Sequence, residues 1–253
     1  MENMRRLTGS QLKLIAMVSM FIDHLAAAVL LVLIENAYYV RAPLSQWTLQ
    51  HIDALITLYE LMRYIGRFAF PIYCFLLVEG FTHTRSVPKY ALRLGIFSLV
   101  SELPFDLALN YSPLEFSSNN VFFTLLLGLL SIWAIAETVK RFSDQKVLLG
   151  ILVVLAAGCG SLLAEYLFKC DYGAAGVLAI VVIYLLRKYP VPAFLAAVGV
   201  LSIGNTIELY ALFMVLPIAL YSGERGRKMK LGPYLFYPLH LLLFFSLTFL
   251  LFQ

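Results

Sequence analysis

Charge is what this sequence has least of: Asp, Glu, Lys and Arg together make up 13% of its 253 residues, while 61% are hydrophobic. Ordinary globular proteins carry about twice that charged fraction, so there is no room for a separate soluble domain. The net charge of +4 is modest, and the Lys and Arg residues fall in short clusters between apolar runs. That pattern suits an anionic membrane surface and offers no basic stripe to nucleic acid. Cysteine is rare and odd in number: Cys74, Cys159 and Cys170 lack metal-ligand spacing, and Cys74 and Cys159 lie inside apolar runs. They read as packing residues, which leaves neither a disulfide framework nor a metal site. Walker A, Gly-rich dinucleotide and nucleophile-elbow patterns are missing. Internal repeats and low-complexity segments are missing too, so residues 1–253 read as one domain.

What is present is a series of apolar runs. Nine read as spans by the rule of about 20 apolar residues: residues 11–34, 66–82, 89–109, 120–137, 147–165, 172–187, 190–204, 206–222 and 234–252. The first is too long, and too interrupted by charge, for a cleavable signal peptide. Basic residues test the count independently. Arg5, Arg6 and Lys13 precede or open the first run; Arg85, Lys89 and Arg93 follow the second. Lys140, Arg141 and Lys146 follow the fourth, Arg187 and Lys188 the sixth, and Arg225, Arg227, Lys228 and Lys230 the eighth. The intervening turns are poor in cations. The fold expected is therefore an all-α, polytopic transmembrane helix bundle of about nine spans, with the N-terminus cytoplasmic and the C-terminus outside.

Against this background the buried polar residues stand out. Asp23 and His24 sit side by side near the middle of the first run. An ionised Asp at a helix centre costs roughly 2.5 to 3.5 kcal/mol on insertion, a cost tolerated where the group faces protein or a wet cavity. Between the first two runs, a segment with Arg41, Pro43, Trp47 and His51 leads into Asp53 to Tyr64, which has the amphipathic look of an interfacial helix. Arg63 and Arg67, spaced i, i+4, share one helix face. The third run carries Ser101, Glu102, Pro104 and Asp106; Glu102 and Asp106 are again i, i+4, with Pro104 bending the helix between them. The economical expectation is that these carboxylates pair with Arg63 and Arg67 across helices. Asn119, Asn120 and Thr124 open the fourth run at the same outer level, so a polar chamber is expected there. Gly158, Gly160, Gly173 and Gly176 read as close-packing positions. Glu165, Asp171, Asn205 and Glu208 lie near run ends, where a solvated role is expected, and His240 stands near the inner end of the last run.

Lys13 and His24 lie eleven positions apart, about three turns, on nearly the same face and about 16 Å apart along the axis. A pantetheine arm has comparable length. A basic mouth at Lys13 can hold the phosphates of a coenzyme A thioester while its acyl group reaches His24, and imidazole suits a general base or transient acyl carrier. Asp23 points about 100° away around the helix, which leaves Arg63 or Arg67 as an alternative partner for it.

The segments ending in MFIDH at His24, IGRFAFPIYCFLLVEGFTHT from Ile65, SELPFDLAL from Ser101, NVFFTLLLGLL from Asn120, DYGAAGVL from Asp171 and FYPLH from Phe236 resemble the TraX family, in order and over nearly the whole chain. That resemblance implies a bacterial inner-membrane acyltransferase related to the proteins that acetylate the N-terminus of F-type conjugative pilin. It implies acetyl-CoA as donor and a protein N-terminus, glycan or lipid as acceptor, among membrane lipids. His24 becomes the catalytic candidate, with Asp23, Glu102 and Asp106 beside it. Arg63, Arg67, Asn119, Asn120, Lys13 and His240 become the substrate-binding candidates. Two other classes stay open: a proton relay in a small transporter, and a non-catalytic assembly partner whose polar residues join helices.

Overall fold

The computed structural model describes residues 7–39, 42–229 and 231–252, and every regular element in them is a helix. Arg5, Arg6, Arg41 and Lys230, which enter the charge argument, lie outside the described residues. Helix α1 spans Gly9–Glu35. Its start is set by Thr8, whose backbone N–H donates to Gln11 Oε1 at 2.8 Å, satisfying one of the amides a helix start leaves open. Leu12, Ala16, Met20 and Asp23 recur at helical spacing and are all buried, so Asp23 belongs to the same packed stripe as the core residues. Directly after His24 the helix widens into a π turn at Ala26–Leu30, a feature frequent at functional sites. Thr248 Oγ1 donates to Ala28 O there at 2.8 Å.

Helix α2 (Ala42–Gln50) leads into α3 (Ile52–Gly66) and α4 (Ala69–His83). The Asp53 to Tyr64 stretch, expected to be amphipathic, lies within α3, which leaves most of its first half exposed and is followed by a turn at Arg67–Phe68. Together α3 and α4 form a near-continuous apolar element of 32 residues, Ile52–His83, packed along α1. Helix α5 (Val87–Phe105) runs through Pro104 into a π turn at Asp106–Asn110. There follow α6 (Val121–Phe142), α7 (Lys146–Leu167), α8 (Gly173–Leu185), α9 (Pro190–Gly204), α10 (Thr206–Ala219) and α11 (Gly232–Leu251).

Each apolar run coincides with a helical segment, but among the described residues five helices are long and apolar enough to cross a membrane by themselves: α1, the α3–α4 element, α6, α7 and α11. Helices α8, α9 and α10 fall short in length. The reason lies in packing. Helix α8 is apolar on every side and sits at the centre against α4, α6, α7 and α9, with Val177, Ala179, Ile180 and Ile183 fully enclosed, as expected of a helix without a polar face. Gly160 and Gly176 permit close approach, since a Cβ at Gly160 would meet Ser131 and one at Gly176 would meet Thr124; Gly158 faces open space. Helix α7 is the opposite case, leaving Val147, Val154, Leu155, Leu162 and Leu167 uncovered. Apolar surface on that scale is what a lipid environment covers, and the chain is a membrane protein.

Candidate active site

Asp23, His24, Arg63 and Arg67 converge on the wall of a cavity of about 290 Å³, together with Asp171 and Tyr172. Arg63 and Arg67 stand at the α3–α4 junction, where one helical turn separates them. Arg63 Nη1 donates to Asp23 Oδ2 at 2.8 Å, and Arg67 Nη2 to Asp23 Oδ1 at 2.9 Å. Arg67 Nη1 also reaches Glu208 Oε1 at 3.1 Å. A Cβ at Gly66 would overlap the Asp23 carboxylate, so glycine there lets α3 lie close enough on α1 for both guanidinium groups to meet one carboxylate. The expected pairing of Glu102 and Asp106 with the arginines is not what forms. Charges taken out of water are held where geometry is best, and Asp23 lies on the helix that α3 packs against.

Glu102 and Asp106 instead organise the ends of helices. Glu102 Oε2 accepts from Asn120 N at 3.2 Å and from Asn120 Nδ2. Asn120 caps α6, its Oδ1 accepting from Phe122 N at 3.0 Å, and its amide also donates to Ser98 O at 2.8 Å. Asp106 Oδ1 accepts from Asn110 Nδ2 at 3.1 Å and Oδ2 from Glu115 N at 2.9 Å. Asn119 Nδ2 donates to Phe168 O. The backbone of Asn119 exchanges hydrogen bonds with Lys169 O and Asp171 N, both at 2.9 Å, which ties two connectors together and sets Asp171 over the cavity. Glu102, Asp106, Asn119 and Asn120 therefore line the cavity's scaffold, not its surface.

His240 lies in the body of its helix, away from either terminus. Eight residues into α11, it is buried against α1, with Nε2 2.7 Å from His24 Nδ1. Its own Nδ1 lies 2.6 Å from Phe236 O. A carbonyl only accepts, so His240 Nδ1 carries the proton. With both imidazoles neutral, His240 Nε2 is then the acceptor, His24 Nδ1 the donor, and His24 Nε2 is left with a free lone pair. The two rings are nearly parallel at 4°, with centres 5.0 Å apart. His24 is thus an oriented base on a cavity wall.

Lys13 lines a second, smaller cavity of about 80 Å³ with Tyr90, Tyr234 and several apolar side chains. The segment that follows α10 lies beside it: Gly9 N donates to Glu224 O at 2.8 Å and Ser10 N to Arg225 O at 3.0 Å. Arg225, Arg227 and Lys228 are thereby held at the Lys13 end of α1.

Three residues of the site escaped the sequence reading. Glu208, expected to be solvated, is 4% exposed and ion-paired; Asp171 and Tyr172 line the cavity. Asp171 lies in the α7–α8 connector with an exposed side chain that borders the cavity, and the protein crowded around its carboxyl pushes it up to about 6 while the Arg67 guanidinium pulls the other way. Because its folded pKa lies above the ordinary value, the folded state holds the proton more tightly, and stability is lost as pH rises from about 4 through about 6. Asp171→Asn is accordingly expected to melt higher than wild type at pH 7.5, with the difference shrinking toward pH 4. Melting curves in detergent across that range check it.

The family profile described as TraX protein matches residues 8–248. The chain belongs to the TraX family. A relative from Dichelobacter nodosus, named as a probable fimbrial assembly protein FimC of serogroup H1, is 30% identical over 264 residues, 93% of this chain and 93% of the relative. No solved structure matches this TraX-family protein.

Proposed function

We propose that this TraX-family protein is a bacterial inner-membrane acyltransferase that moves acetyl from cytoplasmic acetyl-CoA to an amine or hydroxyl acceptor arriving from the outer half of the membrane. The observation that carries the reading is the placement of His24 beside the junction of two cavities, one charged and one narrow and apolar, with Lys13 at the far side of the narrow one. In the proposed arrangement the helices make nine crossings, with the N-terminus and the basic Arg225–Lys228 segment on the cytoplasmic side and the C-terminus outside. Lys13 and the neighbouring cations hold the phosphates of the donor. His24 Nε2 takes the proton from the acceptor as its nitrogen or oxygen bonds to the thioester carbonyl carbon. The carbon–sulfur bond then breaks, and the proton on His24 returns to the departing thiolate. Arg63, Arg67 and Asp171 position the acceptor in the larger cavity.

Purified protein in liposomes, given radiolabelled acetyl-CoA and membrane extract as acceptor, is expected to yield labelled product. Lys13→Ala is expected to raise KM for acetyl-CoA about tenfold, the value of one charge-assisted contact. The name of the Dichelobacter nodosus relative favours a second reading, a non-catalytic partner in fimbrial assembly. Co-purification with an assembly component, without acetyl-CoA binding or turnover, selects that one.

A further inference from the structure

Two tyrosines that the scheme above leaves unused stand where the cavities meet. Met20, Tyr73, Val121 and Tyr237 line both cavities and so form the partition between them. Tyr237 is 2% exposed, and the hydroxyls of Tyr73 and Tyr237 are enclosed without a hydrogen-bond partner among the described residues. Buried hydroxyls are nearly always partnered, because leaving one unpaired forfeits its hydration. Here two of them occur at one narrow place whose other walls, Met20 and Val121, are apolar. The Tyr237 ring stands edge-on to His24, centroids 5.6 Å apart, and edge-on to Phe122 at 5.2 Å. Its position is therefore fixed from both sides.

We propose that the Tyr73 and Tyr237 hydroxyls receive the carbonyl oxygen of the acyl thioester at this partition and stabilise the oxyanion that forms when the acceptor adds. The inference rests on the acyltransferase reading and names donors that reading lacks. A thioester arm entering past Lys13 reaches the partition first, with His24 on the far side. The carbonyl carbon then lies between the acceptor, whose proton goes to His24 Nε2, and the two phenols. As the new carbon–nitrogen or carbon–oxygen bond forms, the carbonyl π electrons move to oxygen and both O–H groups donate to it. They return as the carbon–sulfur bond breaks and the thiolate leaves with the proton from His24. Neutral donors suit this place, since a cation against Met20 and Val121 would forfeit far more hydration.

The test compares wild type with Tyr73→Phe and Tyr237→Phe, which keep the rings. Each is expected to lower kcat for acetyl transfer about 100-fold, as loss of one oxyanion donor does, with a smaller, about tenfold, rise in KM for acetyl-CoA from the lost contact to the ground-state carbonyl. Two probes need no acceptor: the ketone analogue in which a methylene replaces the thioester sulfur, and S-ethyl-CoA, which has no carbonyl. The Phe variants are expected to bind the ketone about tenfold more weakly than wild type and S-ethyl-CoA equally well. Melting temperatures should hold or rise, because an unpaired buried hydroxyl is removed. Full activity in both variants, or equal weakening toward both analogues, overturns the tyrosine assignment and leaves the acyltransferase reading intact. A wild type that binds neither analogue and turns over no acetyl-CoA overturns both.

Discussion

Replacing His24 by alanine is expected to lower acetyl transfer by roughly 10³-fold, the usual range for loss of a positioned general base, while the protein still folds. The side chain faces a cavity, and its one hydrogen bond among the described residues is to His240. The effect of His240 itself follows from the tautomer argument. Phe236 O fixes the proton on His240 Nδ1, so His240 Nε2 must accept from His24 Nδ1. His240→Phe removes that acceptor, lets the His24 ring take the wrong tautomer or turn away, and is expected to reduce kcat by roughly 10²-fold with little change in KM. His240→Gln, whose side-chain oxygen can accept the same proton, should recover part of the loss. A His24→Ala protein with wild-type turnover would remove His24 from the chemistry. Loss of activity in His240→Gln as complete as in His240→Phe would make His240 a packing residue.

Asp23→Ala should be the most destabilising single change at the site, by about 3 kcal/mol, because it leaves two guanidinium groups in a partly buried place with one carboxylate between them. The side chains of Asp23 and Arg67 are only 12% and 11% exposed, and Arg63 is 27% exposed. Glu208 can keep Arg67 company, so the larger share of the cost falls on Arg63. Combining Asp23→Ala with Arg63→Met should therefore restore part of the stability, whereas adding Arg67→Met should strand Glu208 and restore less. Melting in detergent measures all three. A loss below about 0.5 kcal/mol for Asp23→Ala would mean that the ion pairs behave as solvated surface pairs.

Much of the site was legible because charge in an apolar run is expensive. Asp23, His24, Arg63 and Arg67 were conspicuous for that reason alone, and the helical rise placed Lys13 and His24 on one face without any structure. The same reasoning misassigned partners. Glu102 and Asp106 share a face and looked like mates for the arginines, yet they serve the α6 cap and the α5–α6 connector. Local spacing says which residues share a helix face; it carries no information on which helix faces them. Asp171 and Glu208 were passed over because a carboxylate near the end of an apolar run normally meets water. Here the packing of α10 on α3 draws Glu208 inward, while the backbone exchange with Asn119 sets the still exposed Asp171 at the cavity's edge.

By itself the sequence determined the class of the molecule: all-helical, membrane-embedded, with nine apolar segments and a few costly polar residues at depth. Composition and period suffice for that, since hydrophobic length and helix rise are local properties. Family membership was legible too, because its motifs are contiguous. Only the tertiary structure decided that His240 orients His24 across 216 positions of sequence, that Asp23 is shared by two arginines, and that two cavities meet at Tyr73 and Tyr237. Those are contacts between segments far apart in the chain. Each depends on how closely two helices approach, as at Gly66, and side-chain packing sets that distance.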